Sequence, residues 1–288
     1  MAAPPPAILA TAPEPGSFLG LAGQMLGKYR VLHLLGHGGS SAVCRAEDTV
    51  LLRVVALKVL SPALMDDPTF LPRFEREAQA IGRLSHPNLV AIYETGEPQG
   101  RLFYAMEWLP GGDLKFWILA KGRLTVDETT AWALPILEAL AYAHEHGIVH
   151  RGIKPSSILF DAAGKPVLTD FALAEVFVGT PLYSAPEQWQ GGSVDARTDL
   201  YAFGVVLFEC LTGQPPFSGT DAAAIGAQQT GSPPPRLRDL NPDLPQAMED
   251  LVLKLLEKDP ARRCQTAAEV AQALRQVVGQ TPERSPGP

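Results

Sequence analysis

The sequence changes from strand-like to helix-like periodicity at Pro110-Gly111-Gly112, and this change constrains the fold more than any other feature. Before it, Val- and Leu-rich runs bounded by Gly, Asp or Pro predict strands over 29–35, 42–47 and 54–60. After it, apolar residues at helical spacing predict helices over 126–145, 196–211, 247–256 and 267–277. The simplest architecture is a small β-rich lobe joined by a short strap to a larger α-helical lobe. A cleft between two such lobes is the usual place for a ligand.

Shorter elements complete this prediction. Residues 69–84 form an amphipathic helix whose apolar stripe consists of Phe70, Phe74, Ala78 and Ile81. The helix ends before Pro87, because a proline disfavours helical backbone in its predecessor. Four further strands are predicted over 89–94, 102–107, 157–160 and 166–168.

Composition and charge describe an ordinary globular protein of 288 residues with 46% hydrophobic and 19% charged residues. A formal net charge of −7, with no basic block to offset it, argues against nonspecific binding to nucleic acid or to anionic membranes. The three cysteines have neither paired nor metal-like spacing, which indicates a reducing compartment.

The two ends of the chain are rich in proline, and residues 1–25 and 280–288 are predicted to be disordered tails. Between them we predict one two-lobed domain over 26–279, with a first lobe over 26–107, a strap over 107–112 and a second lobe over 113–279. No apolar run reaches the roughly 18–20 residues that span a bilayer, so we expect no membrane insertion. A cytoplasmic location follows as an expectation.

Residues 36–43 read Gly-His-Gly-Gly-Ser-Ser-Ala-Val and indicate a phosphate ligand. Glycine lets backbone N–H groups approach phosphate oxygens without a Cβ in the way. The run lies between two predicted strands rather than ahead of a helix, which argues against a dinucleotide-binding βαβ unit. Taken alone, a flexible hairpin would explain the pattern about as well.

Lys58 lies in the apolar run Val55-Ala56-Leu57-Lys58-Val59. An unpaired ammonium would be costly in such surroundings, so we expect a carboxylate partner. The alternative is a surface lysine at a strand edge.

Residues 150–159 read His-Arg-Gly-Ile-Lys-Pro-Ser-Ser-Ile-Leu and resemble the catalytic loop H-R-D-x-K-x-x-N of protein kinases. Gly152 stands at the position of the Asp, and Ser157 at that of the Asn. Residues 36–43 resemble the phosphate loop of the same family, with Ser41 at its third glycine, and residues 55–59 resemble its V-A-I-K strand. The resemblance covers about 29–277 and is closest to the bacterial, eukaryotic-like Ser/Thr kinases. It implies an α+β, two-lobed protein kinase fold with an ATP cleft between the lobes.

The resemblance also implies which residues bind ATP. Glu77 would be the partner of Lys58, the Glu107 carbonyl and the Leu109 amide would bind adenine, and Met106 would be the gatekeeper. The implied nucleotide-binding set is Gly36, His37, Gly38, Gly39, Ser40, Ser41, Val43, Ala56, Lys58, Glu77, Met106, Glu107, Leu109 and Leu159.

In the catalytic set, the resemblance gives Lys154 the role of neutralising the transferring phosphate and Asp170 that of binding Mg²⁺. Gly152 cannot supply the carboxylate that orients the substrate hydroxyl, and such a base is worth about 10²–10⁴-fold in rate. Ser157 is shorter than the Asn it replaces, so we expect it to be a weak Mg²⁺ ligand with a water filling the gap.

The segment after Asp170 also departs from the family. Thr169-Asp170-Phe171-Ala172 stands in place of D-F-G, and a Cβ at position 172 costs roughly 1–2 kcal/mol in left-handed backbone, so we expect a less mobile loop. The eight residues 171–178 contain no Ser, Thr or Tyr, so a phosphorylation switch within them is not expected. Possible acceptors follow at Thr180, Tyr183 and Ser184.

Structural positions of the family are present as well. Glu187 and Arg263 resemble an ion pair that ties the substrate-docking loop to the second lobe, and Asp199 resembles an aspartate that accepts backbone amides of the catalytic loop. The family's regulatory spine would consist of Ile81, Ile92, His150 and Phe171.

Three functions agree with this sequence. The leading hypothesis is a pseudokinase that binds ATP and Mg²⁺ and regulates a partner protein with little or no phosphoryl transfer. The first alternative is a slow but active Ser/Thr kinase, because phosphoryl transfer depends mostly on positioning and charge. The second alternative is a nucleotide-free scaffold in which Lys58, Glu77 and Asp170 form a structural ionic latch.

Overall fold

The computed structural model describes residues 20–37, 41–67, 69–171 and 181–279. The predicted tails over 1–19 and 280–288 lie outside these ranges. The described residues form two compact units. One contains the residues up to Gly112 together with 160–165, and the other contains 113–159, 166–171 and 181–279.

The first unit is built on a six-stranded antiparallel sheet in the order β1-β2-β3-β4-β6-β5. Its strands are β1 (Met25–Leu26), β2 (Tyr29–His37), β3 (Ser41–Asp48), β4 (Arg53–Leu60), β5 (Ile92–Gly96) and β6 (Phe103–Glu107). Every second residue of β3 is buried, as expected for a strand with one face on a core. That core contains Leu26, Tyr29, Cys44, Leu57 and Phe103 among others.

Helix α1 (Phe70–Gly82) belongs to the same unit and buries Phe70, Phe74, Ala78 and Ile81. This is the apolar stripe predicted from the sequence, and the prediction is confirmed. The ring of Phe74 lies 6.4 Å from that of Tyr104 on β6, so the stripe faces the sheet.

The second unit is helical apart from the two-stranded sheet of β7 (Ile158–Phe160) and β8 (Pro166–Leu168). Its helices are α2 (Leu114–Lys121), α3 (Val126–Glu145), α4 (Pro186–Trp189), α5 (Ala196–Thr212), α6 (Ala222–Gly231), α7 (Leu237–Leu240), α8 (Gln246–Leu255) and α9 (Ala267–Gly279). Helix α5 is buried from Thr198 to Leu211 and forms the centre of this unit. A capping box of Thr125 and Glu128 begins α3 at the predicted residue.

Several predicted bounds differ from the structure. Strand β5 begins at Ile92 rather than at 89, because Leu89 donates its N–H to the His86 carbonyl in the turn at Pro87. The predicted tail is also too long at its inner end. Leu21 is fully buried and Gly23 donates to the Val31 carbonyl, so residues 20–25 belong to the fold.

Four helices were not predicted, and each has a weak sequence signal. Helices α4 and α7 have four residues each, too short for a periodic pattern. Helix α6 is rich in Ala and Gly, and α2 is marked mainly by the side chain of Asp113, which accepts the Phe116 N–H at its start.

Packing between α5 and α8 yields a test of this fold. An added Cβ at Gly204 would lie 2.7 Å from the Cβ of Leu255. We therefore expect Gly204→Ala to lower the free energy of unfolding by about 1–3 kcal/mol, measured by urea denaturation. Gly231→Ala is the control in the same unit, because its Cβ would meet no atom within 4 Å. Equal midpoints for the two variants would contradict the packing.

Candidate active site

The carboxylate of Asp199, in the first turn of α5, fixes the loop that begins at His150. It accepts the N–H of His150 at 2.8 Å and the N–H of Arg151 at 2.7 Å. His144, in the last turn of α3, contacts the same carboxylate through Nε2 at 2.8 Å. The predicted role of Asp199 is confirmed. His144 was not identified from the sequence, although a histidine in the last turn of a helix just before the loop was a usable signal.

His150 stabilises the loop through hydrogen bonds of both its ring nitrogens. Its Nδ1 accepts the N–H of Gly152 at 3.2 Å, and its Nε2 donates to the Thr169 carbonyl at 2.8 Å. These bonds need a neutral ring, and complete burial lowers the pKa of His150 despite the nearby Asp199 carboxylate. The ring packs on Phe171 with 4.5 Å between centroids, as the resemblance implied for two members of the spine.

Two residues beside His150 have left-handed backbone that only glycine adopts readily. The φ angles are 64° at Arg151 and 62° at Asp170. Such conformations cost of order 1–3 kcal/mol and persist where surrounding contacts impose them. The bond from the Arg151 N–H to Asp199 is one such contact.

Gly152 leaves open space where the kinase motif has a carboxylate. An added Cβ would lie 3.8 Å from the Asp170 carbonyl oxygen and 3.9 Å from His150 Nδ1, which are ordinary contact distances. The backbone at Gly152 therefore accepts a Cβ at ordinary contact distances.

Ser157 is fully buried, and the backbone of Lys154 uses its hydroxyl. The hydroxyl donates to the Lys154 carbonyl at 2.7 Å and accepts the Lys154 N–H at 3.0 Å. The hydroxyl thus closes the turn of the loop, and these bonds do not favour the weak Mg²⁺ role expected of it.

The side chains that could bind metal at this site fit one Mg²⁺ ion better than two. In the part of the chain that the structure describes, no three His, Cys, Asp or Glu side chains cluster as a ready metal site. Asp170 supplies one carboxylate, and a kinase-type Mg²⁺ takes its remaining ligands from phosphate oxygens and water.

A small pocket of about 50 Å³ opens beside the loop. Its wall is formed by Arg151, Gly152, Ile153, Lys154, Tyr183, Ser184, Gln188 and Ala202. Among the described residues of the pocket wall, two have cationic side chains and none has a carboxylate. Tyr183, Ser184 and Gln188 had no pocket role in the sequence prediction, because only the fold brings them to the loop.

The predicted ion pair between Glu187 and Arg263 holds helix α4 (Pro186–Trp189) in place. Arg263 donates two hydrogen bonds to the Glu187 carboxylate, both at 2.8 Å, so this prediction is confirmed. Burial raises the pKa of Glu187, but the bonds and charge of Arg263 act in the opposite direction and leave the pKa below its usual value. Thr198 donates to the same carboxylate at 2.8 Å.

Tyr183 is anchored through a second buried carboxylate, that of Glu209 on α5. The Tyr183 hydroxyl donates to Glu209 at 2.6 Å, and Lys115 contacts the other oxygen at 2.5 Å. Burial, with the adjacent Glu209 charge, raises the pKa of Tyr183. The sequence prediction missed this network, whose members are distant in the chain.

Four of the sequence-predicted ATP residues of the first unit share one face of its sheet. Val43 is paired with Lys58, and Ala56 with Met106, and directly paired residues point to the same side. Because Ala56 and Lys58 are two residues apart on β4, all four share a face. That face is opposite to the one with Cys44 and Leu57, which belongs to the core.

The remaining predicted residues are distributed over both units. Gly36 and His37 end β2, Ser41 begins β3, Glu77 lies on α1, and Glu107 ends β6. Leu109 is buried after β6, whereas Leu159, Lys154 and Asp170 belong to the helical unit. Gly38, Gly39, Ser40, Ala172 and Thr180, with the segment 172–178, lie outside the described residues.

Comparison with known proteins gives matches along almost the whole described chain. The family described as "Protein kinase domain" matches residues 29–276. The serine/threonine-protein kinase PrkC of Bacillus subtilis is 39% identical over 255 residues, which cover 85% of this chain and 39% of PrkC. The serine/threonine-protein kinase PknB of Mycobacterium tuberculosis is 37% identical over 276 residues, covering 90% of this chain and 44% of PknB. The chain thus spans less than half the length of these relatives.

Solved structures show the same likeness. The crystal structure of the Mycobacterium tuberculosis PknI kinase domain aligns with a TM-score of 0.74 at 30% identity. The alignment covers 88% of this chain and 98% of that one.

The Glu187–Arg263 pair yields a stability prediction. Arg263→Met leaves a buried carboxylate unpaired and should lower the free energy of unfolding by about 3–5 kcal/mol at pH 7. Glu187→Gln with Arg263→Met should recover part of this loss, which urea denaturation would measure. Because the pKa of Glu187 is lowered from 4.5 on folding, the contribution of the pair is complete above that pH and declines as the pH falls below it. A single variant as stable as the double variant would contradict the pair.

Proposed function

The chain belongs to the protein kinase family, among the bacterial Ser/Thr protein kinases, and on that premise we propose that it binds ATP with Mg²⁺ and transfers the γ-phosphate slowly to Ser or Thr hydroxyls of a protein. The family assignment and the two-lobed kinase fold are confirmed. The observation that carries the proposal is the open pocket beside Gly152 and Lys154, in which none of the described wall residues supplies a carboxylate.

The residues present supply positioning and charge. Phosphoryl transfer has a loose transition state, so catalysis relies mainly on aligned groups and on cations near the transferring phosphate. Lys154 provides such a cation at the pocket, and Lys58 lies on the sheet face of the predicted nucleotide residues. Asp170 would hold the Mg²⁺, which neutralises phosphate charge. The acceptor hydroxyl proton has no protein base at position 152 and passes to water or to a phosphate oxygen.

The expected rate follows from this loss. Protein kinases turn over at about 1–100 s⁻¹. Removal of a general base costs about 10²–10⁴-fold, which places this chain at about 10⁻⁴ to 1 s⁻¹.

The second candidate function is the pseudokinase of the leading sequence hypothesis. The hydroxyl of Ser157 favours it, because it closes the turn at Lys154 instead of extending a ligand. The relatives are named as Ser/Thr protein kinases, which supports the slow kinase better than the pseudokinase. The argument for lost activity thus rests on Gly152, on Ser157 and on the short segment that follows Asp170.

The site of action and the partner belong to the same proposal. We propose a protein substrate and a cytoplasmic kinase domain, which the three buried, free cysteines support. Across the described ranges, none of the helices has the length and apolar character needed to cross a membrane.

Restoring the carboxylate tests the rate proposal. Gly152→Asp should raise autophosphorylation, or phosphorylation of a generic protein substrate, by about 10²-fold or more, because it restores a base at a position where a Cβ meets no close contact. Gly152→Asn is the matched control of equal size without a base. Radiolabelled ATP measures both. No transfer by the wild type, with activity only in Gly152→Asp, would favour the pseudokinase, whereas equal rates for the two variants would contradict the role of the carboxylate.

ATP binding is tested separately by calorimetry with and without Mg²⁺. Lys58→Ala should weaken micromolar binding by at least 10-fold, because it removes a cation from the predicted phosphate site. Lys165→Ala is the control, since this half-exposed lysine pairs only loosely with Asp161, at 3.8 Å. Absence of binding by the wild type would leave the nucleotide-free scaffold.

A further inference from the structure

Lys258, three residues after the end of α8, lies in surroundings that disfavour a positive charge. Its side chain is half-buried. In the described part of the chain its ammonium has no carboxylate within ion-pair distance, whereas Lys254, four residues earlier, pairs with Glu269 at 3.6 Å. Burial without such a partner favours the neutral form of a lysine.

The guanidinium of Arg263 adds to the effect of burial. Both cations lie at the ring of Tyr201, with Arg263 Cζ at 4.9 Å and Lys258 Nζ at 5.6 Å from its centroid. Glu257 acts in the opposite direction, but its carboxylate already pairs with Arg262. Burial, together with the charge of Arg263, therefore lowers the pKa of Lys258 to about 8.

A neutral lysine amine is a nucleophile, and burial next to a second cation is one way in which proteins activate it. At pH 7.5 an amine with this pKa is neutral in about a quarter of the molecules, and an ordinary lysine in about 0.1%. Phe217 favours a particular kind of product, because its ring centroid lies 4.2 Å from Nζ. The face of an aromatic ring carries partial negative charge, so it accepts an uncharged product better than an anionic one.

Lys258 also begins a chain of hydrogen bonds that leads to the segment before α4. Its Nζ donates to the Tyr201 hydroxyl at 3.3 Å, and that hydroxyl donates to the side-chain carbonyl of Gln229. The Gln229 amide donates in turn to the Leu182 carbonyl at 2.7 Å. Gln229 is fully buried, so water does not take the place of either partner. A change at Nζ therefore alters the support of Leu182.

We propose that Lys258 is a modification site at which an acyl phosphate transfers a small acyl group to Nζ, and that this transfer loosens residues 181–183. The Nζ lone pair forms a bond to the acyl carbon, the bond from that carbon to the phosphate oxygen breaks, and the departing phosphate takes one amine proton. This modification goes beyond the kinase activity proposed above and depends on neither ATP binding nor phosphoryl transfer.

The loosening follows from the hydrogen bonds that the product can form. The amide nitrogen retains a single N–H, which cannot serve both the Tyr201 hydroxyl and the Gln228 carbonyl, 3.4 Å from Nζ. The product also lacks the charge that polarises the chain from Tyr201 to Leu182 and strengthens its bonds.

Acetyl phosphate is the probe for the site, and mass spectrometry of peptides measures the acetylation rate of each lysine in the full chain. At pH 7.5 we expect Lys258 in the folded protein to react at least fivefold faster than the same residue in guanidinium-unfolded protein. Unfolding exposes a lysine and would speed its reaction if access alone determined the rate. Equal or slower reaction in the folded protein would overturn the site.

The pH dependence of the same reaction tests the activation of the amine. The rate at Lys258 should level off by about pH 9, because the amine is then mostly neutral. The lysine of a short model peptide in the same tube should continue to react faster as the pH rises toward about 10. A profile at Lys258 that parallels the peptide would contradict the activation.

Hydrogen exchange tests the link to residues 181–183. Lys258→Gln imitates the uncharged product, and Lys258→Arg is the matched control that keeps the charge. We expect the amides of residues 182–185 to exchange at least threefold faster in Lys258→Gln than in Lys258→Arg. With Gln229→Met in both proteins this difference should disappear, because the chain of hydrogen bonds is already cut. Equal exchange in the two single variants would overturn the effect on the segment.

Discussion

The buried carboxylate of Asp199 is the interaction on which the site depends. A loop that enters left-handed backbone at Arg151 needs an external constraint, and Asp199 provides one by accepting two consecutive N–H groups. Since Asp199 lies near the start of α5, which is buried from Thr198 to Leu211, its hydrogen bonds tie the loop to the core of that unit. His150 then fixes Gly152 and Thr169 through its two ring nitrogens. These buried hydrogen bonds of Asp199 and His150 thus determine the geometry of the loop.

The residues that support the loop are different from the residues that would take part in phosphoryl transfer. The residues that differ from the kinase motif, Gly152 and Ser157, alter no support of the loop. At position 152 the surroundings have room for a Cβ that glycine lacks. The Ser157 hydroxyl donates a hydrogen bond to the Lys154 carbonyl and closes the turn there. The fold and the Glu187–Arg263 pair therefore do not depend on the residue at position 152.

Much of this could be predicted from the sequence, for identifiable reasons. Strands β2 to β4 and helix α3 have strong periodicity and clear boundaries. The motif around His150 is specific enough to locate the loop in the sequence. Tyr183, Ser184 and Gln188 were missed at the pocket because they reach it only through tertiary contacts, such as the bond from Tyr183 to Glu209. The hydroxyl of Ser157 was assigned to a metal because spacing alone cannot show that a neighbouring backbone uses it.

The neutral state of His150 has a consequence for regulation. Its imidazole is fully buried, its pKa is lowered by that burial, and both nitrogens form hydrogen bonds, so the fold favours the neutral ring. A second proton on the ring would occupy Nδ1 and break the hydrogen bond from the Gly152 N–H, so the shape of the loop and the neutrality of this one ring depend on each other.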